Sequence, residues 1–216
     1  MDPRGTSSQD SVSRRLFAII PAAGLARRMG RPKLLMPLGG RTVITRLLDL
    51  LDRPDMTERV VVMRRADDAL YDEVSRSGAT IVRPETDPPD MRASVSHAIA
   101  ETERLFRPRA DDGWMLLPAD HPMLEPRVLD RLIERWQTGD SNILVPRHRS
   151  RRGHPTFFRW KLVEEIPAIL ADQGLNVLLE RHASEIDEIE IDDPAVVTDL
   201  DTPEDYEALK RRWANE

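Results

Sequence analysis

Leu16-Phe17-Ala18-Ile19-Ile20-Pro21-Ala22-Ala23-Gly24-Leu25-Ala26-Arg27-Arg28-Met29-Gly30-Arg31-Pro32-Lys33 is the stretch on which the fold turns. It opens with a short continuous apolar run, the pattern of a buried strand. A small and cationic loop follows. Small residues let a backbone approach a ligand closely, and successive N–H groups can cradle phosphate oxygens. Arg27, Arg28, Arg31 and Lys33 put four cations in seven positions. At the C-terminal end of a first parallel strand, such a loop is a natural polyphosphate site. Two familiar phosphate loops do not fit the letters. Five residues separate Gly24 from Gly30 and Arg31-Pro32 follows, which breaks G-x-x-x-x-G-K-[ST]. Leu25-Ala26 after Gly24 breaks G-x-G-x-x-G. A solvated basic loop would have the same composition, so the loop needs support from the rest of the chain.

Further along, strand-like and helix-like patterns alternate. Val43, Ile44, Leu47, Leu48 and Leu51 recur at helical spacing, and Val60 to Met63 reads as a second buried strand. Leu70 and Val74 mark a short helix, Ala79 to Val82 a strand, and Val95, Ile99 and Leu105 one face of a helix. Trp114 to Leu117 is an apolar run ending at Pro118-Ala119-Asp120. Val128, Leu129, Leu132, Ile133 and Trp136 predict a helix, and Ile143 to Val145 a strand. This alternation implies βαβ units and a mostly parallel sheet with helices on its faces, an α/β fold. After Arg147 the pattern changes. Thr156 to Phe158 and Ile186 to Ile191 suggest strands, and Leu162 to Leu170 a helix interrupted by Pro167. A last helix begins at Pro203, with Thr202 as N-cap and Asp205 as the capping-box acid. The expected organisation is a disordered tail over residues 1–15 and one domain over residues 16–213, with a C-terminal elaboration.

Length and composition bound the function. A domain in a chain of 216 residues can bury about 70% of its unfolded surface, so no disulfide or metal staple is needed. There is no cysteine, which removes thiol catalysis, iron–sulfur clusters and Cys-ligated zinc. The net charge of −6 disfavours nucleic acid as partner. No apolar run approaches the ~20 residues of a membrane span, and residues 1–15 lack a signal-peptide core, so a cytoplasmic protein is expected.

Three more segments carry chemistry. Asp120 lies just past a buried strand, where open α/β sheets place ligands and where a carboxylate can hold Mg²⁺ against phosphate; a helix cap would use the same residue. Asp192-Asp193 and Asp199-Leu200-Asp201-Thr202-Pro203-Glu204-Asp205 hold six carboxylates in 14 positions. The acids of a strand-like Asp-Leu-Asp share one face, and Asp201 precedes the helix, so it could point into a cleft. Arg147-His148-Arg149-Ser150-Arg151-Arg152-Gly153-His154-Pro155 suits an anionic substrate group or, equally, a basic surface hairpin.

Taken in order, these segments resemble the MobA-like nucleotidyltransferase family, especially its MocA-type branch of molybdenum cofactor cytidylyltransferases. The family's opening motif, roughly L-A-A-G-x-S-x-R-M-G-x-P-K-L-L, reads here Pro21-Ala22-Ala23-Gly24-Leu25-Ala26-Arg27-Arg28-Met29-Gly30-Arg31-Pro32-Lys33-Leu34-Leu35. The likeness continues at Leu38-Gly39-Gly40, Met91 to Ser96, Asp120-His121-Pro122, Gly153-His154-Pro155 and Asp199 to Tyr206. It departs at Ala26, where relatives carry Ser, at Ala119, where Gly is common, and at Asp87-Pro88-Pro89-Asp90.

The resemblance implies a Rossmann-like nucleotidyltransferase fold. It implies transfer of a nucleotidyl group from an NTP, CTP favoured over GTP, to a phosphorylated acceptor of the molybdopterin type, with release of pyrophosphate. Arg28, Lys33 and Asp120 would be catalytic; Ala22, Ala23, Gly24, Ser94 and Ser96 would receive the nucleotide; Gly153 and His154 would face the acceptor. Asp120 and Asp201 would hold Mg²⁺. A phosphate acceptor is already ionised, so no general base is required. Two other readings stay open. A transferase acting on a sugar phosphate or another small phosphate would share the nucleotide half, and an acceptor panel separates it. A cofactor-insertion chaperone or nucleotide sensor would bind without turnover, and any pyrophosphate release excludes it.

Overall fold

The structure is a computed structural model that describes residues 14–26, 28–170 and 172–214. Most of the expected tail and Arg27 therefore lie outside the described residues. Arg14 and Arg15, also assigned to that tail, are held in place. The Arg15 backbone N–H and guanidinium donate to the buried carboxylate of Asp112 at 2.7–3.0 Å. The Arg14 guanidinium donates to the Gly139 carbonyl at 2.7 Å.

β1 (Leu16–Pro21) forms the middle of the sheet because every residue up to Ile20 is apolar. Its alternate side chains feed two cores. Leu16, Ala18 and Ile20 face one, while Phe17 and Ile19 face the other. A strand buried on both faces belongs inside a parallel sheet covered by helices on both sides.

The chain then makes a small antiparallel pair, β2 (Pro37–Leu38) and β3 (Arg41–Thr42), and enters α1 (Val43–Leu50). The Thr42 hydroxyl caps α1 by accepting from the Thr45 N–H at 3.2 Å. β4 (Glu58–Val62), α2 (Asp68–Ser75), β5 (Thr80–Val82), α3 (Met91–Phe106), β6 (Gly113–Leu116), α4 (Pro126–Thr138) and β7 (Ile143–His148) continue the alternation. β8 (Arg151–Arg152), β9 (Thr156–Arg159), α5 (Asn176–Arg181), β10 (Ile186–Glu190) and α6 (Pro203–Ala214) complete the chain.

The sheet runs β10-β7-β9-β6-β1-β4-β5, with β8 added to β7. β1, β4, β5 and β6 are parallel in register, and β10 is parallel to β7. β9 is the exception, antiparallel to both β6 and β7. The apolar faces of α1, α2, α4 and α6 cover one side of the sheet. α3 and the stretch Trp160–Ala168 cover the other, where Trp114 of β6 stacks on Phe158 of β9 at 4.3 Å.

Beyond Arg14 and Arg15, the structure departs from the sequence reading in its short elements. Leu162 to Leu170, expected as a helix interrupted by Pro167, falls largely in a 3₁₀ stretch, Trp160–Ala168, with Pro167 inside it. Proline has no N–H to donate and clashes with the preceding turn, so an α-helix cannot run through it. α5 and the β2–β3 pair were not anticipated; both are too short for a periodic signal. No helix among the described residues is long and apolar enough to cross a membrane.

Candidate active site

Parallel register brings the C-terminal ends of β1, β4 and β6 to one edge of the sheet. Main-chain bonds extend that edge beyond the strands. Ala22 N–H donates to Val62 O at 2.8 Å, and Ala119 N–H donates to Pro21 O at 3.1 Å. A cavity of about 390 Å³ opens there. The loop Ala22–Ala26 and Arg28 form one wall, Asp87 to Met91 with Ser94 the other, and Lys33, Asp120 and Asp201 the polar floor.

The loop keeps its shape through a tight turn. The N–H groups of Met29 and Gly30 both reach the Ala26 carbonyl, at 3.0 and 3.2 Å. Ala26 has φ +46° and Gly30 φ +63°. Gly30 adopts this left-handed backbone without strain, while Ala26 bears the Cβ penalty that glycine avoids.

Asp201 reaches the site because the chain returns after β10. Leu200 is fully buried, and its N–H donates to the Asp120 carbonyl at 2.9 Å. That bond sets Asp201 beside Asp120. The capping box then starts α6: Thr202 N–H donates to Asp205 Oδ2 at 2.7 Å, and Asp205 N–H to Thr202 Oγ1 at 3.2 Å. Asp199 is exposed and does not line the cavity, so Asp-Leu-Asp presents one acid to the site, not two.

Lys33 joins the two acids. Its Nζ lies 2.7 Å from Asp120 Oδ2 and 2.9 Å from Asp201 Oδ1. The Arg28 guanidinium pairs with the other oxygen of Asp201. Burial alone would lower the Lys33 pKa, but Asp120 and Asp201 outweigh it and raise the ammonium above its ordinary value. Burial likewise opposes ionisation of Asp201, yet Lys33 and Arg28 hold its carboxyl below the usual range. Two hard carboxylates facing this cavity are the donor type that Mg²⁺ and Mn²⁺ prefer, with remaining positions left for water and phosphate oxygens. The residues present therefore fit a divalent ion of this class.

Next to Asp120 lies a pair of histidines. His121 is buried, with Nε2 4.0 Å from Asp120 Oδ1, and the His154 ring meets it edge-on at 5.1 Å. Among the described residues neither Nδ1 has a hydrogen-bond partner. Burial lowers the pKa of both, and that of His154 falls to about 4. His154 also borders a second cavity of about 350 Å³, with Arg92, Asp172, Gln173 and Asn176. Asp90 and Met91 line both cavities, so the two adjoin.

Of the residues singled out in the sequence, Ala22, Ala23, Gly24, Arg28, Lys33, Ser94, Asp120 and Asp201 meet around the first cavity. Ser96 does not. It is exposed and donates to the Arg92 carbonyl at 3.0 Å, because two residues along a helix rotate a side chain about 200° away. Gly153 lines neither cavity. A Cβ there would meet the Val196 carbonyl oxygen at 2.1 Å, so its small size serves close backbone contact. In the basic hairpin, Arg147 and Arg152 both pair with Glu188 of β10. Arg64 was missed. It lines the first cavity just past β4, held by Asp67 in a two-pronged pair at 2.6 and 2.9 Å. Its position after a buried strand was the signal available.

Residues 18–186 match the family described as MobA-like NTP transferase domain. The chain is 26% identical over 202 residues to the molybdenum cofactor cytidylyltransferase of Escherichia coli, covering 90% of this chain and 95% of that protein. It is 27% identical over 232 residues to the 2-C-methyl-D-erythritol 4-phosphate cytidylyltransferase of Pseudomonas fluorescens, covering 92% and 96%. The Gloeobacter violaceus bifunctional protein GlmU is 28% identical over 68% of this chain, which spans only 32% of that protein. Among solved structures, Rv0371c of Mycobacterium tuberculosis superposes with a TM-score of 0.77 at 26% identity, covering 92% of this chain and 98% of that one. A complex of Rv0371c with manganese gives 0.70.

Proposed function

The chain belongs to the MobA-like NTP transferase domain family, and from that premise we propose a Mg²⁺-dependent transfer of a nucleotidyl group from CTP to a phosphorylated acceptor of the molybdopterin type. The observation that carries this reading is the polar floor of the larger cavity, where one lysine bridges two carboxylates beneath a small-residue loop. The loop Ala22–Gly24 receives the triphosphate through its backbone, and Ser94, not Ser96, lies on the base and sugar side. An acceptor phosphate oxygen attacks the α-phosphorus. The bond from that phosphorus to the bridging oxygen breaks, and pyrophosphate leaves with the electron pair. Lys33 and Arg28 offset the charge that gathers on the departing pyrophosphate. Asp120 and Asp201 would hold Mg²⁺, which supplies Lewis-acid neutralisation of phosphate oxygens when bound. The acceptor approaches from the adjoining cavity beside His154. Supplies of NTP make the cytoplasm the compartment this reaction calls for.

A second acceptor class has its own support. The match to an enzyme named for an erythritol phosphate is as long as the match to the molybdenum cofactor enzyme. Calorimetry with CTP, GTP, ATP and UTP, each with and without Mg²⁺, tests the donor. A pyrophosphate-release assay with molybdopterin and with polyol and sugar phosphates tests the acceptor. We expect selective, Mg²⁺-dependent CTP binding and turnover with molybdopterin. Asp120→Ala should cut turnover by about 10²–10³ with the fold retained, the scale of losing one transition-state charge contact. Near-normal turnover in that variant removes Asp120 from the site, and preference for GTP moves the assignment to guanylyl transfer.

A further inference from the structure

We propose that in the free protein Lys33 holds the place of a divalent cation between Asp120 and Asp201, so that metal and nucleotide each bind weakly alone and strongly together. The inference rests on the nucleotidyl-transfer reading. An ammonium group has three N–H donors and no acceptor. Lys33 directs Nζ at one oxygen of each acid, and its side chain is only 11% exposed. Arg28 takes the second oxygen of Asp201. Three of the four carboxylate oxygens are thus engaged by the chain's own cations, leaving only Asp120 Oδ1, which faces the buried His121 at 4.0 Å.

A divalent ion entering this arrangement must displace an ammonium and a guanidinium whose acid partners, among the described residues, are Asp120 and Asp201 themselves. In return it gains only two protein carboxylates, with water left to fill the rest of its shell. Among the described residues, no cluster of three or more Asp, Glu, His or Cys could hold a metal. Mg²⁺ and Mn²⁺ ask for about six ligands, and two carboxylates cannot supply them. A triphosphate removes both obstacles. Its oxygens accept from Lys33 and Arg28, which releases the carboxylate oxygens, and other oxygens of the same chain complete the ion's shell. The coupling is reciprocal: the factor by which nucleotide tightens metal equals the factor by which metal tightens nucleotide.

The test uses the full chain and Mn²⁺ as probe, with free Mn²⁺ read by electron paramagnetic resonance. Titrations are run alone and with a CTP analogue carrying a methylene bridge between the α- and β-phosphates. Once the Mn²⁺ that the analogue binds in free solution is measured separately and subtracted, expected is an at least tenfold fall in the Mn²⁺ Kd of the protein when the analogue is present, and an equal gain in analogue affinity, by calorimetry, when Mn²⁺ is present. Lys33→Met, which keeps the side-chain length and removes the charge, should tighten Mn²⁺ alone by about tenfold while weakening the analogue. Arg28→Ala, at a 70% exposed position, should do the same to a smaller degree and serves should Lys33→Met fail to fold by circular dichroism. Equal Mn²⁺ affinity with and without analogue overturns the proposal, as does a folded Lys33→Met with unchanged or weaker Mn²⁺ binding. A protein that binds no nucleotide under any condition sinks the transfer reading instead, and the Lys33→Met titration with Mn²⁺ alone still judges the placeholder.

Discussion

Gly153 is defined by what it lacks. Its N–H donates to the Pro146 carbonyl at 2.8 Å, and the next N–H, that of His154, donates to the Val196 carbonyl at 2.7 Å. A side chain at 153 would overlap the Val196 carbonyl group, whose oxygen and carbon lie 2.1 and 2.7 Å from the Cβ position. Backbone, unlike a flexible side chain, cannot step aside. Gly153→Ala should therefore destabilise the fold by about 1–3 kcal/mol, the cost of overpacking. Urea unfolding measures it, and a change below 0.5 kcal/mol, the ordinary surface range, would show that the contact yields freely. The sequence marks Gly153 through its motif, but the reason, a backbone crossing 43 positions downstream in the chain, is legible only in three dimensions. Lys33, Asp120 and Asp201 were legible because residue type and place in the pattern agreed. Arg64 was not, because a lone arginine after a strand carries no motif. Ser96 was misplaced because a motif gives spacing and not helix rotation.

Strands placed far apart in the sequence need more than ladder bonds at their ends. β1 and β6 are locked where they begin, by Asp112. Its fully buried carboxylate accepts from the Arg15 backbone and guanidinium and from the Arg109 backbone and guanidinium. Burial pushes the Asp112 pKa up, but these donors outweigh it and hold the acid below its ordinary value. A carboxyl depressed in this way contributes stability that is present above its unfolded pKa, near 3.9, and is lost as pH falls through the folded value. Asp112→Asn should cost about 2–3 kcal/mol at pH 7, less than for a dry pair because Arg15 is 32% exposed. It should cost much less at pH 2. Equal losses at both pH values by urea unfolding would show that the carboxylate's charge is not what matters. The sequence reading put Arg15 in the tail because its partner lies 97 residues away. By contrast, the parallel core strands were legible, since each has an apolar run set between helical spacings. β9 reads as a strand as well, but nothing in its letters says that it runs against its neighbours.

At the scale of the whole molecule, buried and bridged histidines pull the pH dependence in opposite directions. Burial holds His154 neutral, with a pKa of about 4, while the unfolded chain binds a proton below pH 6.5. The unfolded state therefore carries more protons between those values, and His154 makes the fold weaken as pH falls from 6.5 to 4. His182 does the reverse. It bridges Glu185 through Nδ1 at 2.8 Å and Glu165 through Nε2 at 2.7 Å, and these bonds raise its pKa above 6.5. Arg181 on Glu165 and Lys161 near Glu185 temper the pull without reversing it. Its contribution is full below pH 6.5 and is lost as pH rises through the folded value. His182 ties α5 to the Trp160–Ala168 stretch, and the segment leading into α5 forms a wall of the cavity beside His154. Raising the pH should therefore loosen the wall of the cavity beside His154, the acceptor side in the proposed transfer, while the raised Lys33 ammonium and the depressed Asp201 carboxyl stay charged. The acceptor KM should climb from pH 6.5 to 9 with the CTP KM nearly constant. His182→Gln should show the raised acceptor KM already at pH 6.5 and lose this pH dependence. Parallel rises in both KM values would place the sensitive group on the nucleotide floor and sink the assignment to His182.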